Sequence, residues 1–301
     1  MLVVDTGLFP STGRRMADEV RKLTNKPVRY VVNTHWHDDH HGGNQVYREI
    51  WPDVEFISHA RTRTDAIEQS HEPRAGNTAR LEKAIPDLER WLGTGEDDEG
   101  KPLDAARRKR VEQAIAFYRA AIPELESIEP TTPDLTFEDA LVLRRGERTI
   151  EIRWLGLGNT RGDVVVFLPR ERIVATGDLV VHPIPFGFGS YYADWPDTLG
   201  NIDALEADIV FPGHGAVQRD SAYIDQLRAL FHDLVVNVEV AIADGANLEE
   251  TQERVTLAEW KEKFAGSDDR KQRSFTAFFV QPAVERAWRQ AMGEPDTQKV
   301  Q

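Results

Sequence analysis

The sequence predicts an α/β layered fold, and three observations carry that prediction. Short apolar runs alternate with stretches of helical periodicity through the first 60 residues. Apolar runs bounded by turn residues resume after residue 134. Several of these runs end on a histidine or an aspartate, so chemically active side chains gather at strand ends. A chain of 301 residues that is 40% hydrophobic can also bury a full core.

Leu2 to Asp5 reads as a strand, and Ser11 as the N-cap of a helix running to about Leu23. Val28 to Asn33 forms the next strand, a polar loop and a short helix around Gln45 to Glu49 follow it, and Val54 to Ser58 is a third strand. From about residue 61 to 127 strand signals vanish. Apolar residues recur at helical spacing, as in Leu81, Ile85, Leu88, Leu92 and again Val111, Ile115, Tyr118, with an acidic, glycine-punctuated break from Gly93 to Gly100. This is a helical insertion, with two readings: packing cover for the sheet, or a lid over a site. Strands resume at Leu135 to Phe137, Ala140 to Leu143, Thr149 to Leu155, Val164 to Leu168 and Arg172 to Ala175, and Ile209 to Phe211 is the last. After Ser221 the pattern is helical throughout. The expected organisation is therefore an α/β domain over 1–217, carrying the insertion at about 61–127, and a helical extension over 218–301 packed on it.

The formal net charge of −14 disfavours binding to a phosphate backbone, so nucleic acid is not an expected partner. No apolar run approaches the roughly 18–20 residues of a membrane span, so no membrane partner is expected either. The chain has no cysteine, which excludes disulfides and thiolate metal sites. Met1 leads directly into a strand without a signal peptide, which reads as cytoplasmic. A start lying upstream with an export signal would make it periplasmic or secreted. The oligomeric state is left open.

His35-Trp36-His37-Asp38-Asp39-His40 packs three imidazoles and a ligand-spaced carboxylate into six residues, directly after an apolar strand and before Gly42-Gly43. A sharp turn through such a segment points neutral nitrogens and a carboxylate at one spot, as a divalent metal requires. Asp178 ends the run Val174-Ala175-Thr176-Gly177, and His214 follows Val210-Phe211-Pro212-Gly213. Leu157-Gly158-Asn159-Thr160-Arg161-Gly162-Asp163 is a glycine-rich loop that leads into another strand.

Thr34 to Gly43 resembles the Thr-His-x-His-x-Asp-His-x-Gly-Gly signature of the metallo-β-lactamase-fold hydrolases. Thr176-Gly177-Asp178 and Pro212-Gly213-His214-Gly215 match later ligand motifs of that superfamily in the same order. The resemblance covers about residues 1–217. It implies a four-layer αββα sandwich with a metal site at one edge. It also implies that His35 and His37 serve a first metal, Asp39, His40 and His214 a second, and that Asp178 bridges the two. Zinc is the expected ion, as one or two Zn2+, with manganese and iron as alternatives. Two departures stand out. Asn159 occupies the position where the third motif usually has a histidine, and an amide oxygen is a poorer zinc ligand than imidazole, so Asn159 is at most a substitute ligand of a weakened first site. One or more strands that usually precede the segment matching Leu2 to Gly7 are missing, which leaves a sheet edge there.

A divalent ion in such a site lowers the pKa of bound water towards about 7, which supplies hydroxide at neutral pH. Asp39, beside both sites, is the residue expected to orient the water and carry the proton. The expected reaction is hydrolysis of an acyl bond (ester, thioester, lactone or lactam) in a small molecule. A bridging Asp178 favours the glyoxalase-II-like thioesterase and lactonase types over the β-lactamases. The rival reading is a catalytically silent member that keeps a structural metal and acts as a binding protein. His182, Tyr191, Tyr192 and Trp195 are candidate pocket residues, each with ordinary packing as its alternative. Asp163 is expected to support the loop of Asn159, His41 to sit behind or outside the ligands, and His59, His71 and His232 to be structural or exposed.

Overall fold

The computed structural model describes residues 1–69 and 71–294, except for the side chains of 71–74. Four parallel strands form the first sheet in the order β1 (Leu2–Val4), β2 (Tyr30–Val32), β3 (Glu55–His59) and β4 (Leu135–Phe137). The second sheet orders β5 (Ala140–Arg145), β6 (Arg148–Trp154), β7 (Val164–Leu168), β8 (Ile173–Val181) and β9 (Ile209–His214). Strands β5 to β8 pair antiparallel, and β9 lies parallel to β8. Because β6 and β8 both run against β7, the carboxyl ends of β6, β8 and β9 meet at one edge.

The helices before the second sheet are α1 (Pro10–Leu23), α2 (Asp38–His41), α3 (Asn44–Ile50), α4 (Ala60–Gln69), α5 (His71–Thr94) and α6 (Ala105–Glu126). Those after β8 are α7 (Trp195–Asp203), α8 (Ala222–Ala243), α9 (Leu248–Arg254), α10 (Ala258–Ala265), α11 (Asp269–Phe275) and α12 (Gln281–Ala291), with a π-helical turn, Thr276–Val280, between the last two. Local chemistry sets several of these ends. Pro10 supplies the fixed φ of a first helical turn in α1. Asp104 accepts the Arg107 N–H to cap α6, and Asn247 and Glu250 cap α9 reciprocally.

Alternate residues of the central strands enter different clusters, as a period of two requires. Val31 and Phe56 pack with Ala17 of α1 and Tyr47 of α3. Their neighbours Val32 and Ile57 pack instead with Ile152, Val164 and Val166 of the second sheet. Val165, Phe167 and Val174 face the other way, into a cluster with Leu199 of α7, Phe231 of α8 and Phe279 of the π turn. The chain is thus a mixed α/β protein with two sheets. Helical residues pack with one side of each sheet, and residues of the two sheets meet in a shared cluster.

Several element ends differ from the sequence expectation, and one helix is additional. Helix α1 begins at Pro10, with Phe9 rather than Ser11 at the N-cap. Strand β8 does not stop at Ala175 but runs on to Val181, because its pairing with β9 absorbs two register shifts around Gly177. Helix α7 was not expected: Trp195–Asp203 carries a proline and a glycine in nine residues, a composition that reads as loop. The insertion is helical as expected, with α5 and α6 packed along each other. His71 opens α5, and its side chain lies outside the described residues. Among the described residues no helix is long and apolar enough to cross a membrane.

Ile57 is fully buried between the two sheets. Ile57→Ala should lower unfolding free energy by about 2–5 kcal/mol, read from the midpoint of a urea titration followed by circular dichroism. An unchanged midpoint would show that the sheets do not share this core.

Candidate metal centre

The centre is assembled from strand ends. His35 and His37 follow β2, Asp39 and His40 sit in the single turn α2, Asp178 lies inside the irregular part of β8, and His214 closes β9. Two ligand sets result, Asp39 with His40, Asp178 and His214, and His35 with His37 and Asp178, and the ligating atoms of each set lie within 4.8 Å of one another. His40 Nε2 stands 3.3 Å from Asp178 Oδ1 and 3.5 Å from Asp39 Oδ2. His214 Nε2 stands 3.0 Å from Asp39 Oδ2 and 3.5 Å from Asp178 Oδ1. His35 Nε2 lies 3.0 Å from His37 Nδ1 and 3.9 Å from Asp178 Oδ2. Glycine makes this approach possible: a Cβ on Gly213 would overlap Asp178 Oδ1, and Gly177 takes a φ of +53° against the Thr34 side chain.

A residue outside the sequence expectations organises the ligands. Asp5, just past β1, accepts the Thr34 backbone N–H and the Thr34 hydroxyl, both at 2.8 Å, and its Oδ2 lies 2.7 Å from His40 Nδ1. The Nδ1–H of His40 therefore donates to a carboxylate, which leaves the Nε2 lone pair facing the ligand set. Thr34 spends its hydroxyl proton on Asp5, so its oxygen accepts from His35 Nδ1 at 3.1 Å and turns the His35 Nε2 lone pair inwards as well. The signal was present in the sequence. Val3-Val4-Asp5-Thr6-Gly7 has the same strand-acid-glycine pattern that singled out Asp178.

The electrostatics suit a cation. Burial, with His40 and His37 nearby, holds the His35 imidazole well below its ordinary pKa. Burial acts on His40 in the same sense, but Asp178, Asp5 and Asp39 outweigh it and hold that imidazole well above its ordinary value. Burial would raise the Asp39 carboxyl, yet His40 and His214 hold it well below. His40 Nε2, His214 Nε2 and Asp178 Oδ1 are buried atoms with no hydrogen-bond partner, and all three belong to the second ligand set. Orphaned nitrogen and oxygen lone pairs that converge in this way, in a mixed imidazole–carboxylate donor set, fit a divalent ion.

Asn159 is buried, with its Nδ2 3.5 Å from His37 Nδ1, on the side of the first ligand set. Its loop is held by Asp163, which accepts the Thr160 N–H, and by helix α4. There, buried Asp65 takes a forked bond from Arg161, with Nε at 2.9 and 3.1 Å, and the Thr62 hydroxyl donates to the Gly162 carbonyl. The insertion therefore fixes the loop that carries Asn159. A cavity of about 210 Å³ beside His35 and His41 also has Thr62, Ala66 and Ile67 of α4 in its wall.

The pocket candidates separate from the ligands. Tyr192 is fully buried and Trp195 is 2% exposed, the first edge-on and the second tilted against Phe231 in the helical core, so they are packing residues and not a substrate wall. Tyr191 lies under the Arg286 guanidinium and binds the Gly158 carbonyl through its backbone. The ring of His182 packs on Tyr223 and belongs to neither ligand set. His41 Nε2 lies 2.7 Å from the Trp36 carbonyl, which ties the loop together from behind. His59 is buried against Trp154 and Phe137, and His232 is exposed on α8.

Because Asp5 sets the orientation of one histidine in each ligand set, Asp5→Ala should weaken zinc binding by about 10–100-fold in a competitive chelator titration while the fold persists. An unchanged affinity would remove Asp5 from the centre.

Comparison with known proteins follows the same lines. A metallo-beta-lactamase from Pontibacter korlensis superposes with a TM-score of 0.52 at 20% identity, over 77% of this chain and 81% of that one. The stereoselective inverting sec-alkylsulfatase Pisa1 from Pseudomonas sp. superposes with a TM-score of 0.63 at 14% identity, over 98% of this chain and 46% of that one. The linear primary-alkylsulfatase of Pseudomonas sp. (strain ATCC 19151) is 21% identical over 256 residues, or 79% of this chain and 44% of its own length. The chain thus spans less than half the length of the alkylsulfatases it matches. Relatives of both kinds are hydrolases by name. The family model described as Metallo-beta-lactamase superfamily matches residues 2–214, and the chain belongs to that superfamily.

Proposed function

We propose that this chain is a metal-dependent hydrolase of small-molecule esters and that Asp39, His40, Asp178 and His214 form its working metal site. The observation that carries this reading is the convergence of three orphaned, buried ligand atoms on one point, with Asp39 and His214 both 37% exposed at its mouth. A divalent ion held there would polarise the substrate and make water acidic enough to ionise near neutrality. His40 and His214 present their Nε2 atoms to it, and Asp178 offers one oxygen to each ligand set. Asp39 Oδ2 faces His214 and His40. On this reading Asp39 Oδ1 takes the proton from the attacking water and returns it to the leaving group. Asp5, through Thr34 and His40, keeps the imidazoles from turning away during this exchange.

Acyl bonds, in an ester, thioester, lactone or lactam, are the first substrate class for such a site. A second class, alkyl sulfate esters, is supported by the alkylsulfatase relatives and by the 98% of this chain that superposes on one of them. Both classes ask the centre to accept an oxyanion and to direct water against an electrophilic atom, and the ligand geometry serves either.

Purified protein should carry between one and two divalent ions per chain by elemental analysis, and a strong chelator should abolish hydrolysis, with recovery on adding zinc, manganese or iron. Near-zero metal content with activity unaffected by chelation would sink the proposal. A panel of p-nitrophenyl esters, glutathione thioesters, lactones, lactams and alkyl sulfates identifies the class, and failure on every member would favour the binding-protein reading. Asn159→His restores an imidazole beside His37. It should raise the metal count towards two and turnover by about tenfold if the amide limits the first site. A doubled metal count with no gain in rate would show that the second site works alone.

A further inference from the structure

We propose that Phe186 and Phe278 form an apolar wall beside the metal centre and receive the hydrocarbon portion of the substrate ester. For the identity of its occupant this rests on the hydrolase reading above. The Phe186 ring stands edge-on to the ring of His214, with centroids 5.9 Å apart, and Phe278 meets Phe186 edge-on at 6.5 Å. The two phenylalanines are 38% and 48% exposed, and His214 and Asp39 beside them are half-exposed too. Exposed apolar residues scattered singly need no explanation, but rings that touch one another and a ligand of the centre make one continuous surface.

The wall is built to hold its shape. Gly187 donates its N–H to the Phe278 carbonyl at 2.8 Å, so the loop after β8 is bonded to the π turn. A Cβ on Gly187 would come within 2.6 Å of the Phe279 carbonyl, so only glycine allows this contact. The Phe186 carbonyl in turn accepts the hydroxyl of buried Tyr192 at 3.3 Å. The π turn explains why Phe278 faces outwards. A turn closed by an i→i+5 bond holds more residues than an α turn, which carries Phe278 farther round the axis from the face of Phe275. Phe275 and Phe279 accordingly point into the core with Phe231, while Phe278 turns to the site. A hydrocarbon chain leaving the metal centre on the His214 side would cover these two rings and shed its water there, each buried methylene strengthening binding by up to about fourfold.

The test uses the 301-residue chain loaded with zinc and two phosphonates that are not turned over, ethylphosphonate and octylphosphonate, titrated by calorimetry. Octylphosphonate should bind at least about tenfold tighter, because six more methylenes are partly covered. Phe278→Ser and Phe186→Ser, made separately so that either serves if the other misfolds, should each cut that preference at least threefold and leave the ethylphosphonate Kd unchanged. Equal affinity for the two phosphonates, or a preference that survives both substitutions, overturns the proposal. A chain-length preference without hydrolysis of any ester would count against the hydrolase reading alone. Hydrolysis without a preference would count against the wall alone.

Discussion

Asp5 joins the backbone of the first sheet to both halves of the centre through three hydrogen bonds to one carboxylate, and His35 and His40 take their direction from it. Its amide pairs with the Val32 carbonyl at 2.9 Å, which extends the parallel register of β1 on β2 by one residue. The chain then turns at a φ of +57°, a left-handed conformation that carries a cost for a residue with a Cβ, though less for aspartate than for most. Bonds to the Thr34 N–H, the Thr34 hydroxyl and His40 hold it there. One imidazole of each ligand set is thus oriented by the same acid, directly for His40 and through a hydroxyl for His35. A histidine with both nitrogens free could flip its ring or change tautomer, and a ligand that does either loses its metal.

That arrangement creates an electrostatic demand which the rest of the site answers. Asp5, Asp39 and Asp178 face four imidazoles in a largely buried volume, and burial penalises every charge among them. Burial and the neighbouring imidazoles hold His35 below its ordinary pKa, whereas Asp178, Asp5 and Asp39 outweigh burial and hold His40 above its own. The orphaned Nε2 and Oδ1 atoms are costly in a protein that binds nothing there, at about 1–3 kcal/mol for each unsatisfied group. A centre of this kind is expensive scaffolding unless a cation completes it.

How much of this was legible in the sequence follows from the range of each interaction. The six ligands could be read because they fall in three short segments, 35–40, 178 and 214, each following an apolar run, and four of them share the first. The bonds of Asp5 reach 29 and 35 residues along the chain, and no local periodicity reports such a partner. In the sequence alone, Tyr192 and Trp195 fit a substrate wall or ordinary packing. The unexpected α7 turned them into the core. Strand β8 was read too short because Thr176-Gly177-Asp178 has turn chemistry, and in the fold that chemistry becomes a bulge within a strand. Phe186 and Phe278 could not have been paired from the sequence, since the Gly187 bond that joins their segments depends on how the C-terminal helices pack.

The two ligand sets depend on different additions to the fold. Asn159, next to His37, is positioned by a loop clamped to α4 through Asp65–Arg161 and Thr62, so the state of the first set follows from the helical insertion. Asp65 is wholly buried while the Arg161 side chain is 40% exposed, so the pair locks the loop mainly because a buried carboxylate that lost its guanidinium would keep only the Gln69 amide. The second set opens instead towards Phe186 and Phe278, and Phe278 lies beyond the 2–214 segment that defines the family. The ligands are held by the part of the chain this protein shares with its superfamily. The surroundings that would decide what reaches them come from α4 on one side and from the π turn before α12 on the other. Change in either of those elements can therefore alter substrate choice without disturbing Asp5, the sheets or the metal ligands.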